Sequence, residues 1–362
     1  MNNITIISSE KNWMESAALD QLNKIATLKG MLRVVGLPDL HPGKTPVGAV
    51  FITEEILYPH LIGNDIGCGM SLFMADIEKR KFKLERMIKR LEVLKDLRKI
   101  NISDITMNSE DASLGTIGGG NHFAEFQVVD RIHCQEEFSE LGLDENKVLL
   151  LIHSGSRGHG ENILNNFIKN YEAQKGILAD SEVGELYITQ HNEAIKWAAC
   201  NREMIAIRML RALGLNIEVT KMLDNIHNCI SIKRVDDNVQ YIHRKGAVVA
   251  DEGAVVIPGS RGSLTYIVKP SVDTTISGYS LAHGAGRKWE RSICRKRLEG
   301  IYTKKTIKQT KLNGKVVCKD TNLLFEEASE AYKNIELIIQ SLVDFGLIEV
   351  IATLKPILTV KA

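Results

Sequence analysis

The sequence predicts an α+β fold: one mixed domain over residues 1–362 whose strands lead into glycine-rich loops around a central metal cleft. Three observations carry that prediction. Short apolar runs are interspersed with segments of helical period, the glycines concentrate where the apolar runs end, and no solenoid repeat, low-complexity tract or Pro/Ser linker divides the chain. Catalytic residues are commonly held on loops at the ends of rigid elements, so this placement of glycines suits a single catalytic domain.

The strand candidates are 31–36, 47–53, 71–76, 148–153, 247–250 and 254–258. All are apolar or β-branched runs bounded by Gly, Asp or Pro. Segments 10–28, 80–99, 160–175, 182–213 and 325–345 space their apolar residues as amphipathic helices do, and 219–225 reads as a further helical stretch. The lysine-rich stretch 303–313 lacks apolar periodicity and is expected to be an exposed, mobile excursion.

Composition bounds the function. A chain of 362 residues with 44% hydrophobic and 25% charged residues has ample material for a large core. A net charge of +1 excludes a globally basic surface, although the patches Lys79–Lys81 and Arg287 through Arg297 leave an anionic polymer permitted. The six cysteines form no CxxC pair, Met1–Thr5 does not open a signal peptide, and no apolar run approaches the roughly 20 residues needed to cross a bilayer. The expectation is a cytoplasmic protein with reduced thiols and no membrane partner, with Cys200 a buried helix residue.

The chemistry concentrates in Gly63-Asn-Asp-Ile-Gly-Cys-Gly69. A carboxylate (Asp65) and a thiol (Cys68) three positions apart, in a turn that glycines permit, point two anionic ligands at one cation once the thiol ionises. His122 follows three glycines, His153 ends an apolar strand, and His227 and His283 sit in polar or glycine-rich settings; each offers an imidazole nitrogen. His60, His133, His159, His191 and His243 read as structural, whereas His41, within Pro38–Gly43, is one to watch. Softness alone suits such a set to Zn²⁺ or Co²⁺. The loops 118–120, 259–262 and 284–286, with Arg157, Arg261 and Arg287, are able to cradle phosphate, and His283 is then a candidate nucleophile toward phosphorus. No P-loop, dinucleotide GxGxxG or KxDG element is present. On these residues alone, a metal-dependent phosphohydrolase or nuclease stands beside a nucleotidyl-transferring enzyme.

Gly63–Gly69, Gly118-Gly-Gly-Asn-His-Phe123, His153-Ser-Gly-Ser-Arg-Gly158, His243-Arg-Lys-Gly-Ala247, Ile257-Pro-Gly-Ser260, His283-Gly-Ala-Gly-Arg287 and Leu354–Lys361 occur in the order seen in RtcB-type RNA ligases, which the chain resembles over nearly its whole length. The resemblance implies that family's fold. It also implies GTP- and Mn²⁺-dependent joining, with two ions per active site, of RNA 3′-phosphate or 2′,3′-cyclic phosphate ends to 5′-hydroxyl ends through a histidine–GMP intermediate, in RNA splicing or repair. On that resemblance His283 matches the guanylated histidine, and Asp65, Cys68, His122, His153 and His227 match the ligands of two ions bridged by the Cys68 thiolate. Asn121, His122, Phe123, Ala124, Glu125, His227, Asn228, Pro258, Gly259, Ser260, Arg261, Thr265, His283, Gly284, Ala285, Gly286 and Lys361 match contacts to the guanine nucleotide, with Glu125 reading the guanine edge. Without the resemblance, Glu125 reads as a surface carboxylate and Lys361 as a solvated terminal charge. The chain departs from the family pattern at Arg261, where methionine is common, at Ala282, where serine or cysteine is usual, and in being shorter.

Overall fold

The computed structural model describes residues 3–94, 96–102 and 113–361. The larger sheet runs in the order Val255–Pro258, Thr265–Pro270, Ile348–Lys361, Phe123–Ile132, Lys147–Ser154, Gly69–Glu78 and Val219–Ile226, with Lys315–Cys318 pairing in parallel beside Ile348–Lys361. Period-2 alternation sorts its side chains. Phe73, Leu150 and Ile152 enter one core beneath the helix Glu182–Ala212, and Leu72, Leu149 and Leu151 enter another on the opposite face. Burying one such side chain contributes roughly 1.5–3 kcal/mol. The sheet curls until its two edges meet: the Asn225 side chain donates to Ala254 O at 3.1 Å and accepts from Val256 N at 3.0 Å.

A second sheet has the order Ile4–Ile6, Met31–His41, Val47–Glu54, Asn238–Lys245 and Asn228–Val235. Val35, Val50 and Ile242 from it share a core with Ile257 of the larger sheet and with Ile335, Ile338 and Leu342 of the helix Ile335–Asp344. The strand Ser280–Ala282 pairs with Ala247–Val249 and delivers residue 283 to the seam between the sheets. These shared side chains make one continuous mixed α/β body of the described residues.

The six expected strands all form, and so do the helical segments at 10–28, 80–99, 160–175 and 182–213, as Ser16–Ile25, Leu84–Val93, Gly158–Tyr171 and Glu182–Ala212. Lys95, within the expected helix 80–99, lies outside the described residues. Ser181 caps the long helix by accepting from Gly184 N at 3.1 Å, and Tyr187, His191, Ala194, Ala198 and Arg202 recur on its buried face.

Four expectations are corrected. Segment 219–225 is a strand, not a helix; pairing along Gly69–Glu78 overrides its local spacing. Segment 325–345 is broken into Thr321–Glu326 and Ile335–Asp344, the second helix being capped by Asn334, and the break carries Glu327 into the interior. Segment 303–313 is exposed over most of its length, as expected, but it is anchored rather than free: Ile307 packs with Leu298, Val316 and Leu324, and Thr310 is buried. Cys200 lies on the exposed face of its helix.

Candidate active site

Sheet register assembles the metal ligands. Met70 and Phe123 lie opposite His153 on either side of it, and Gly69 lies opposite Ile226. Cys68, His122 and His227 each flank a strand end adjoining these positions, so three segments far apart in sequence meet at one end of the sheet. Backbone bonds lock the meeting point: His227 N donates to Cys68 O at 2.9 Å and Gly67 N to Asn228 O at 2.8 Å. Gly67 has φ +72°, and a Cβ there would stand 2.9 Å from Ile195 Cα, so the turn between Asp65 and Cys68 requires glycine. A Cβ at Gly155 would lie 2.5 Å from the Asp65 carboxylate.

Behind the ligands lies a buried clamp. Arg202, fully buried, pairs with Asp224 at 2.7 Å and donates to Gly67 O, Ser154 O and Ser71 Oγ. It thereby ties the strands Lys147–Ser154 and Gly69–Glu78 to the turn carrying Cys68.

The ligand atoms converge. Cys68 Sγ is 3.2 Å from His153 Nε2 and 3.3 Å from His122 Nε2, His153 Nε2 is 3.3 Å from His227 Nε2, and Asp65 Oδ2 is 3.0 Å from His122 Nε2. Ligands about 2.0–2.3 Å from a shared ion stand roughly 3.1–3.6 Å apart, so this spacing fits a divalent metal. Protonation agrees. Burial, reinforced by the neighbouring histidines, holds His153 and His227 well below the ordinary histidine range, which leaves both rings neutral. His153 Nδ1 donates to Asn121 O at 3.2 Å, turning the Nε2 lone pair inward. Burial, with the nearby Asp65 carboxylate, pushes the Cys68 thiol up, so a bound cation is what would favour its thiolate. Arg157 Nη1 donates to His122 Nδ1 at 2.9 Å and Nε2 donates to Asp65 Oδ2 at 3.0 Å, so coordination through Nε2 would require the ring proton to move to Nδ1 and Arg157 to give up its contact there.

His283 adjoins this cluster, its ring centroid 4.9 Å from that of His227. Asp39 orients it: Oδ2 accepts from His283 Nδ1 at 2.6 Å and from His283 N at 3.1 Å. With Nδ1 so occupied, Nε2 is the ring nitrogen left for bonding to another group. His41, close by, is pushed down to about 4, chiefly by burial, and so is neutral.

A cleft of about 690 Å³ is lined by Asp65, Cys68, His122, His153, His227, His41 and His283, with Asp39 outside the lining, and continues past the glycine loops to Glu125, Arg261, Glu327, Tyr332 and Lys361. Glu125 is buried. Gln127 Nε2 donates to it at 2.7 Å, Thr359 Oγ1 donates to its other oxygen, and burial raises its carboxyl above the usual range despite those bonds. Lys361 is buried as well, donating to Gly120 O, His122 O and Glu327 Oε2 at 3.1, 3.0 and 3.3 Å. Both the surface reading of Glu125 and the solvated reading of Lys361 are thereby set aside. Arg261 donates through Nη2 to Ile307 O and Leu324 O, whereas its buried Nη1 has no hydrogen-bond partner among the described residues.

Asn121, His122, Phe123, Glu125, His227, Asn228, Pro258–Arg261, His283–Gly286 and Lys361 all line the cleft together with Asp65, Cys68 and His153. Ala124 and Thr265 are buried outside the lining; Thr265 Oγ1 accepts from Gln127 at 2.9 Å and so helps fix the side chain that holds Glu125. Asp39, Arg202 and Glu327 escape the sequence reading. Only Asp39 carries a signal there, in the Pro38–Gly43 stretch around His41.

Fold and cleft together define a metal-binding enzyme with an oriented histidine at its centre. A family profile described as tRNA-splicing ligase RtcB matches residues 21–101 and 92–362. The chain is 43% identical to the RNA-splicing ligase RtcB2 of Escherichia coli, over 98% of this chain and 94% of that protein. It is 26% identical to the tRNA-splicing ligase RtcB of Archaeoglobus fulgidus, over 95% and 91%, and 25% identical to the RNA-splicing ligase RtcB of Mycobacterium tuberculosis, over 94% and 100%. The chain belongs to the RtcB family and is an RNA ligase. No helix among the described residues is long and apolar enough to cross a membrane.

Proposed function

We propose that the protein, as a single domain over residues 1–362 acting in the cytoplasm, joins RNA 3′-phosphate or 2′,3′-cyclic phosphate ends to 5′-hydroxyl ends, using GTP and two Mn²⁺ ions in RNA splicing or repair. The observation that carries this reading is the Asp39-oriented His283 beside the convergent ligands. In this account His283 Nε2 attacks the α-phosphorus of GTP and pyrophosphate leaves. An oxygen of the RNA 3′-phosphate then displaces the histidine and takes the GMP; finally the 5′-hydroxyl attacks the RNA phosphorus and GMP departs. Asp39 holds the Nδ1 proton throughout, so the phosphoramidate forms at Nε2.

Asp65, Cys68, His122, His153 and His227 would hold the ions. Bound ions neutralise phosphate charge and orient the α-phosphorus for in-line attack. Mn²⁺ over a softer ion rests on family membership. Glu125 and the donors around it read the guanine, and the backbone N–H groups of 284–286 and 259–262 face the phosphates.

The test is a reaction of the Mn²⁺-loaded protein and GTP with two RNAs, one ending in a ³²P-labelled 3′-phosphate and one beginning with a 5′-hydroxyl. The proposal expects the label in the joined strand, resistant to phosphatase. Release of the label as inorganic phosphate without joining would mean hydrolysis and would overturn it.

A further inference from the structure

Residues 287–319 contain twelve Lys or Arg against two acidic residues, Glu290 and Glu299, in a chain whose 46 basic and 45 acidic side chains otherwise nearly cancel. The remainder of the protein is therefore net negative by nine. Together with Leu324 and Phe325 just beyond it, this segment forms a small unit with its own apolar centre, in which Leu298, Ile307 and Val316 also pack. It joins the rest of the fold through the strand Lys315–Cys318 and through Arg287 and Arg291, both of which pair with Glu327 at the cleft.

Folding does not account for this charge. Only a few of these groups find anions: Arg295 pairs with Glu299 at 2.6 Å and Lys311 with Glu330 at 3.6 Å. Lys296, Lys304 and Lys305 are exposed and Lys308 is half-buried, and among the described residues none of the four has an ion pair. Like charges concentrated in one short segment repel one another unless an anion is supplied from outside. The helix Arg291–Leu298, about 12 Å long, begins at the cleft, where Arg291 is part of the lining, and carries Arg295, Lys296 and Arg297 in its last turn.

We propose that this unit is the docking surface for the phosphate backbone of the RNA, seating the strand by charge while the cleft performs the chemistry. The proposal rests on the RNA-ligase reading but not on the histidine–GMP step. Each phosphate neutralised releases counterions, so the surface carries a measurable share of the salt dependence of binding, and it reads no sequence.

The test compares the full-length protein with the fourfold variant Lys296→Gln, Lys304→Gln, Lys305→Gln and Lys308→Gln. Binding of a fluorescent single-stranded RNA with a 3′-phosphate is measured across a salt series, and labelling of His283 by GTP is measured without RNA. The surface account expects Kd to rise about tenfold or more at low salt, the slope of log Kd against log salt to fall by roughly 3, and labelling to stay within about twofold of the parent. A control variant, Lys79→Gln, Arg80→Gln and Lys81→Gln, should bind RNA as the parent does. Unchanged Kd and slope in the fourfold variant, or an equal loss in the control, would overturn the proposal. Absence of His283 labelling in the parent would instead strike the catalytic reading and leave the binding comparison decisive for this one.

Discussion

Asp39 Oδ2 lies 2.6 Å from Nδ1 of His283 although 244 residues separate them in sequence. Asp39 is fully buried in the strand Met31–His41 and also accepts from the His283 backbone, so ring and main chain are fixed together. An imidazole held this way by a carboxylate keeps one tautomer and is stabilised when it becomes charged. Asp39→Asn is expected to slow labelling of His283 by about 10²–10⁴-fold while leaving GTP binding nearly intact. Single-turnover labelling at saturating GTP checks this, and an unchanged rate would contradict the role.

The metal ligands and the nucleophile separate by a different readout. Cys68→Ala removes the thiol that stands within 3.3 Å of both His122 Nε2 and His153 Nε2 and is expected to lower bound metal sharply, whereas His283→Ala should keep metal content close to the parent. Elemental analysis of purified variants decides it. Equal metal in the Cys68 variant would refute the division of roles.

Arg202 is expected to matter for stability before chemistry. Removing one partner of a buried ion pair leaves the other uncompensated, so Arg202→Met should lower unfolding stability by about 3–5 kcal/mol. Urea unfolding measures this, and a midpoint within error of the parent would show that the clamp is not needed.

Two buried histidines away from the cleft set an acid limit. His191 Nε2 accepts from Ile230 N and His243 Nε2 from Tyr58 N, both at 2.9 Å, and burial pushes them down to about 4 and about 3. The unfolded chain binds these protons near 6.5 and the folded one only far lower, so stability is full above pH 6.5 and falls as pH drops toward 4. The loss approaches roughly 3 kcal/mol or more per histidine. Urea midpoints at pH 7.5, 6 and 5 should decline in that order, and a flat series would contradict the assignment.

The sequence made Asp65, Cys68, His122 and His153 legible because each lies in or beside a glycine-containing loop next to an apolar run, whereas His227, in a polar setting without glycine, was raised to a ligand only by the family resemblance. Asp39 did not stand out because its meaning comes from pairing across the seam between two sheets. Glu327 was hidden inside an apparently continuous helix 325–345, and Arg202 looked like one more charge on a long amphipathic helix. The strand at 219–225 was misread since its apolar spacing suits either period and only the neighbouring strand decides. Lys361 and Glu125 could be raised from bland surface charges by resemblance alone, and their burial against Glu327, Gln127 and Thr359 gives that assignment a physical basis.

The central claim is that His283 carries GMP between GTP and RNA. Incubating the protein with GTP labelled at the α-phosphate in the presence of Mn²⁺, without RNA, tests it most directly. A covalent adduct that is acid-labile and alkali-stable, absent in His283→Ala and transferred on addition of RNA 3′-phosphate, is the predicted result. A metal-loaded preparation that joins RNA yet never forms this adduct, or forms it equally in His283→Ala, would contradict the account.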